Sequence, residues 1–328
     1  MTIPFIGAFL VSSISYPLAK QLANAWDVID RPNSRKIHTS PTPRTGGVMI
    51  FVAFLLLSLF FMHYIAWWHV LSLILLFSVG FWDDVSYVKP SIRLFLQVII
   101  SVFFVIAGQI YLTDYVIVTM PFAIAVPFAI FCIVGVTNAY NIVDGLNGLS
   151  SGCAFIFFVL TACLAYIYND HFLLVYSLLF AGGLLGFIVF NFPFGKIFLG
   201  DGGSYLIGFS VATIAFMAVK RHPEVSPWTF LFITIIPVFD TLFAIFRRRK
   251  LKRSAFKADK RHLHHIFKRR YKSEIKAVVV IWSLQLLFGT IALIFHNNTF
   301  MLLLLIILST LLLRRLWFKR INFIGIKI

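Results

Sequence analysis

The chain has 328 residues, of which 60% are hydrophobic and 12% charged, and a formal net charge of +17. With a mean hydropathy of +0.92, that composition excludes an ordinary soluble domain. Its three cysteines form no Cys-x-x-Cys pair, which argues against a zinc ribbon or a disulfide framework and reads as small buried side chains.

Eleven apolar runs recur along the chain, at 3–22, 46–64, 67–82, 92–110, 121–137, 149–168, 171–190, 204–219, 227–246, 276–295 and 299–317. Most are long enough to cross a bilayer as helices; the third, fifth and eighth are short. They predict an all-α polytopic membrane protein of about eleven transmembrane helices, with 1–328 as a single integral membrane domain. In lipid every backbone polar group must be satisfied within a helix. The first run lacks a cationic leader and a small-residue cleavage pattern, so it reads as a retained helix. With the N-terminus outside and the C-terminus cytoplasmic, the cytoplasmic segments carry all but Lys220 and Arg221 of the 29 Lys and Arg. That asymmetry is the positive-inside rule. The basic excess is therefore a topology signal and an attraction to anionic membrane lipids, and it points away from nucleic acid.

The polar motifs follow in chain order, all on the face predicted to be cytoplasmic. Between the first two runs lies Arg35-Lys36-Ile37-His38-Thr39-Ser40-Pro41-Thr42-Pro43-Arg44-Thr45-Gly46-Gly47. The prolines hold an extended segment, and cations beside a helix start suit an anion. Asp83-Asp84 closes the third run, and Arg93 and Gln97 share one face of the fourth. Adjacent carboxylates repel and persist where a cation, a metal or a proton transfer stabilises them. In the stretch 137–150, Asn138, Asn141, Asp144 and Asn147 recur every three residues, one polar stripe if helical, with Gly145 and Gly148 beside them.

Phe198-Leu199-Gly200-Asp201-Gly202-Gly203-Ser204 leads into the eighth run. Its glycines allow close backbone approach, its helix start suits phosphate, and Asp201 offers a hard oxygen to magnesium. Asp240 lies inside the ninth run, either as a functional carboxylate or as a bond to a neighbouring helix. The longest connection, the basic cytoplasmic loop 247–275, is expected to hold a short amphipathic helix. It contains Asp259-Lys260-Arg261-His262-Leu263-His264-His265. No Cys or second His cluster completes a zinc site there, and histidines among arginines fit phosphate recognition. Acids for a divalent cation, helix starts for phosphate and basic loops on one face make an inventory for phosphoryl chemistry at a membrane surface.

These motifs resemble those of the polyprenyl-phosphate N-acetylhexosamine-1-phosphate transferases, relatives of the phospho-N-acetylmuramoyl-pentapeptide transferases. The matching segments are Lys36 to Gly47, Gly80 to Asp84 with Arg93 and Gln97, the run Asn138/Asn141/Asp144-Gly145, Phe198 to Ser204, and Asp259 to His265. They occur in family order. The resemblance implies a bacterial inner-membrane enzyme with its active site facing the cytoplasm. It would move a HexNAc-1-phosphate, by default GlcNAc-1-phosphate, from a UDP-sugar to undecaprenyl phosphate, releasing UMP. That would be the first membrane step of a surface-polysaccharide pathway such as O-antigen synthesis.

By the same resemblance Asn141 and Asp201 hold Mg2+, with Mn2+ as a substitute. Asp83, Asp84, Asp144 and Asp201 are the catalytic acids, Asp83 and Asp84 orienting the lipid phosphate by position and charge or, as the alternative, deprotonating it, and Arg44 and Arg93 hold phosphate. Asp144 with Gly145, Leu146 and Asn147 lines a uridine pocket beside Asn138, Phe198 stacks on uracil, and His262, His264 and His265 clasp the donor. A second copy of the chain is entertained as a partner. Two departures stand out. Asn147 replaces an aspartate found in many relatives, and His-x-His-His differs from the His-His-His of the muramoyl branch, favouring a simpler HexNAc donor. The competing reading is a transporter or flippase of a lipid-linked sugar, although transport sites usually lie near the bilayer midplane.

Overall fold

A computed structural model describes residues 2–31, 41–250 and 262–318. The described residues are almost entirely helical: α1 Ile3–Ile14, α2 Tyr16–Ala25, α3 Gly46–Phe60, α4 Trp67–Val85, α5 Pro90–Gly108, α6 Phe122–Val143, α7 Leu149–Ile167, α8 His171–Asn191, α9 Gly200–Arg221, α10 Pro227–Ile233, α11 Ile235–Lys250, α12 Leu263–Tyr271, α13 Glu274–Ile294 and α14 Thr299–Phe318. A short antiparallel ladder pairs β1, Ile29–Asp30, with β2, Thr42–Pro43. The protein is an all-α polytopic membrane protein.

Each of the eleven apolar runs coincides with a helix or a bent helix pair. Among the described residues seven helices, α4 to α9 and α13, are long and apolar enough to cross a membrane. The pairs α1–α2 and α10–α11 qualify as two more if each is one span, bent by 40° and 79°. Helix α3 is shorter, at 15 residues. The three short runs extend as helices beyond their hydropathy limits, to Val85, to Val143 and back to Gly200. The extensions carry Asp83, Asp84, Asn138, Asn141 and Asp201, polar residues that ended the apolar run without ending the helix.

The sharp bend before α11 has a local cause. Pro237 has no N–H to return to the Ile233 carbonyl four residues earlier. The Gln285 side chain of α13 donates to that carbonyl instead. Nα-terminal turns elsewhere are built from ordinary signals: Pro90 opens α5, and the Asp170 side chain accepts Leu173 N–H to cap α8.

Helix α9 is the hub, buried along most of its length and packed on α3, α4, α6 and α7. The expected basic loop 247–275 is narrower, since α11 reaches Lys250 and α13 starts at Glu274. The short helix expected there is α12, which packs its buried Leu263, Ile266 and Phe267 toward α13. All three cysteines are free; Cys153 is buried, but Cys163 is exposed on α7, against the expectation that all three are interior.

Candidate active site

The motifs meet at one end of the bundle because two chain segments are stitched together there. Phe198 N–H donates to the Pro43 carbonyl (2.7 Å), and Gly46 and Gly47 N–H donate to the carbonyls of Phe198 and Leu199 (2.8 Å each). Gly200 has φ +76°, and a Cβ there would lie 2.2 Å from the Arg44 carbonyl oxygen. A Cβ on Gly47 would come within 2.4 Å of Gly203 backbone, and one on Gly80 within 2.6 Å of Gly202 Cα. These glycines therefore press α3 and α4 onto the first turn of α9, a packing role beyond the ligand approach read from sequence.

The two adjacent carboxylates have separate partners. Asp84 accepts the backbone N–H groups of Asp201 and Gly202, each at 2.9 Å, and lies 3.4 Å from the Arg44 guanidinium. It caps α9 and opposes the positive end of its dipole. Asp83 accepts Val88 N–H (2.9 Å) and the Arg93 guanidinium. Both side chains are almost fully covered, at 4% and 2% exposure, whereas Asp201 is 22%, Arg93 23% and Arg44 39% exposed. The pair thus lies beneath an accessible ring. In that ring Arg93 and Arg44 approach Asp201 Oδ2 at 3.7 and 4.0 Å. Asn141 Nδ2 donates to Asp201 Oδ1 (2.7 Å) and Ser204 Oγ (2.8 Å). Asn138, one turn back, donates to Gln97 Oε1 (2.6 Å) and the Val134 carbonyl.

The polar stripe expected at 138–147 is broken, because α6 ends at Val143. Only Asn138 and Asn141 share its helical face. Asp144 is the C-cap, where burial, reinforced by the Asp201 charge and opposed by Arg44, pushes its carboxyl up to about 7. Leu146 is buried, and Asn147 turns toward the 191–195 segment, donating to the Pro193 carbonyl at 3.2 Å. Gly148 N–H is held by the Asn191 side chain. Phe198 is half-buried, fixed by both of its backbone hydrogen bonds.

His262, His264 and His265 reach the site on α12. A Cβ on Gly145 would lie 2.6 Å from His264 Nε2, so that imidazole packs directly on the Gly145 backbone. Burial lowers the His264 pKa to about 3; burial and the neighbouring His262 and Arg269 lower that of His265. Burial thus disfavours the charged form of both imidazoles. Residues 32–40 and 251–261, which include Lys36 and Asp259, lie outside the described residues.

From Arg93, Asn138, Asn141 and Tyr205 a cavity of about 1200 Å³ runs between α5, α6, α9, α10 and α11. Its walls are apolar, among them Leu94, Val98, Phe131, Phe216 and Trp228, and it extends to Leu112 and Tyr115. His262, His264 and His265 also line it. Tyr205 escaped sequence reading, since an aromatic residue in an apolar helix looks like core.

Among the described residues no group of three His, Cys, Asp or Glu side chains could hold a metal ion. Asp201 and Asn141 offer one carboxylate and one amide oxygen. That sparse set of hard oxygens fits Mg2+, which commonly takes one or two carboxylates and completes its octahedron with phosphates and water. It does not fit zinc.

Residues 66–219 match the model of glycosyl transferase family 4. The chain is 29% identical over 311 residues to the probable undecaprenyl-phosphate N-acetylglucosaminyl 1-phosphate transferase of Bacillus subtilis (strain 168), covering 91% of this chain and 86% of that protein. It is 28% identical over 317 residues to the undecaprenyl-phosphate alpha-N-acetylglucosaminyl 1-phosphate transferase of Yersinia pestis, covering 92% and 86%. The Escherichia coli (strain K12) protein of the same description is 27% identical over 309 residues, covering 90% and 84%.

Proposed function

We propose that this chain, whose residues 66–219 match the model of glycosyl transferase family 4, transfers GlcNAc-1-phosphate or a related HexNAc-1-phosphate from a UDP-sugar to undecaprenyl phosphate, releasing UMP. The observation that carries this reading is a ring of Arg44, Arg93, Asn141 and Asp201 at the mouth of a long apolar cavity. Phosphates suit the ring; a polyprenyl chain suits the cavity.

Arg93 is anchored by Asp83, and Arg44 lies against Asp84, so both guanidiniums are pre-oriented toward the ring. They would bind the lipid phosphate and the donor pyrophosphate and offset charge that builds on the leaving UMP. Mg2+ held by Asp201 and Asn141 would supply further charge neutralisation at the pyrophosphate. The attacking lipid phosphate is largely ionised at neutral pH, its second pKa being near 6, so the displacement needs no base. Asp83 and Asp84 accordingly act by holding Arg93, Arg44 and the first turn of α9. The 144–147 turn and the α12 histidines would bracket the nucleotide and sugar.

The Lys/Arg distribution supports a cytoplasmic active site in a bacterial inner membrane, and the same basic face would attract anionic lipids. A homodimer is also proposed. The pathway reading, a first membrane step toward a surface polysaccharide, follows from the lipid acceptor.

The deciding experiment incubates detergent-purified protein with undecaprenyl phosphate and a panel of UDP-sugars, with Mg2+, Mn2+ or EDTA, followed by mass analysis of the lipid. UMP and a lipid-diphosphate sugar are expected only with divalent cation and acceptor present. No UMP from any donor would sink the reading. Movement of an unconverted lipid-linked sugar across liposomes would favour a flippase, though polar groups gathered at one end of the cavity argue against that.

A further inference from the structure

Asp240 is the one acidic residue of α11, and its carboxylate is 4% exposed. A charge so deeply covered is costly unless it is hydrogen-bonded. It reaches the start of α12. Asp240 Oδ1 accepts Leu263 N–H at 2.7 Å, and Oδ2 accepts from His262 Nδ1 at 3.1 Å. His264 Nδ1 lies 4.0 Å from the same oxygen.

Helix α12 needs this help. It spans nine residues, too few to be stable alone, and its N-cap residue, His262, makes no side-chain capping bond. Asp240 therefore supplies from another helix the cap that the local sequence lacks. Its bond to His262 Nδ1 also orients the ring and leaves Nε2 for a ligand in the cavity that His262 lines. The same first turn carries His264, whose Nε2 abuts Gly145.

We propose that Asp240 is a positioning residue for the donor half of the site. It holds the first turn of α12 so that His262 presents its free ring nitrogen to the sugar nucleotide and His264 stays against Gly145. This rests on the transferase reading.

The test compares Asp240→Ala, Asp240→Asn, His262→Ala and the Asp240→Ala/His262→Ala pair. Asp240→Ala should raise KM for the UDP-sugar about tenfold, the scale of a lost cap, while KM for undecaprenyl phosphate stays unchanged. The double variant should lose no more than the worse single one, because both act through the same contact. Asp240→Asn keeps an acceptor for Leu263 N–H and should retain slow amide exchange at 263–266, which Asp240→Ala should speed. Equal changes in both KM values, or additive losses, or unchanged exchange in Asp240→Ala, would each overturn the proposal. If wild-type protein released no UMP, the transferase reading would fail by itself; the exchange measurement would still decide whether Asp240 holds α12. If Asp240→Ala does not fold, Asp240→Glu replaces it, with a raised KM for the UDP-sugar alone expected and no KM change overturning the proposal.

Discussion

Asn141 on α6 and Asp201 on α9 are joined by a 2.7 Å hydrogen bond from Nδ2 to Oδ1, which sets the two side chains proposed for Mg2+ beside each other. Asp201→Ala removes the carboxylate but leaves the Asp201 N–H, which is the group Asp84 holds. UMP release should fall by about 10²–10³-fold or more, the scale of losing a preorganised charge at a phosphoryl site. The melting temperature should stay near wild type. Normal activity in Asp201→Ala would remove Asp201 from the reaction.

Asp84 should behave differently. Its two oxygens satisfy two backbone N–H groups in the first turn of α9, with 2% of the side chain exposed. Asp84→Ala leaves those donors unpaired and should cost about 2–4 kcal/mol of stability. Asp84→Asn, which keeps one acceptor, should cost less. Thermal melting in detergent reads both. An Asp84→Ala protein that melts like wild type yet has no activity would mean that Asp84 acts on substrate directly.

Asp144 gives a pH signature. Its folded pKa is raised to about 7 by burial, with Asp201 adding to the shift. The fold favours the neutral acid, so the stability it contributes is complete below the ordinary carboxylate range and is lost as pH rises through about 7. In EDTA, melting temperature should fall between about pH 4 and pH 7, and Asp144→Asn should flatten that slope. An unchanged slope in Asp144→Asn would assign the effect to another group.

Hydropathy and motif order made the helices and the gathering of polar groups legible in the sequence. What they could not reveal was which side of each polar residue does the work. Asp83 and Asp84 are adjacent in sequence but about 100° apart around a helix, so one reaches Arg93 and the other the α9 backbone. Asn147 is three residues from Asp144, yet the helix ends between Asn141 and both of them, and periodicity has no meaning past that end. Asp240 read ambiguously because its partners lie 22 and 23 residues away, across a connection with no periodic signal. The glycines pair between motifs, Gly47 with Gly203 and Gly80 with Gly202, and only the fold brings such pairs together.

The far end of α9 explains the two cations that break the charge asymmetry. Arg221 donates to Asp170 through Nε (2.6 Å) and Nη2 (2.9 Å), and Lys220 lies 5.2 Å from the centroid of the Tyr111 ring. Each is compensated locally, so neither weighs against the orientation expected from the Lys/Arg asymmetry. Asp170 also accepts from His222 Nε2 (2.8 Å) and Leu173 N–H (3.0 Å), tying the α7–α8 connection to the end of α9. Burial alone would raise the Asp170 pKa, but the hydrogen bonds from Arg221, Leu173 and His222 outweigh it and lower it. Its contribution to stability is therefore present above the ordinary carboxylate range and is lost as pH falls through it. Because Arg221 is partly exposed and screened, Asp170→Ala should cost a modest amount, about 1–3 kcal/mol. The variant should lose part of the acid-side drop in melting temperature. UMP release at neutral pH should be unchanged, since this clasp and Gly200 lie at opposite ends of the 22-residue α9. A large loss of turnover in Asp170→Ala with normal melting would instead couple the two ends of α9.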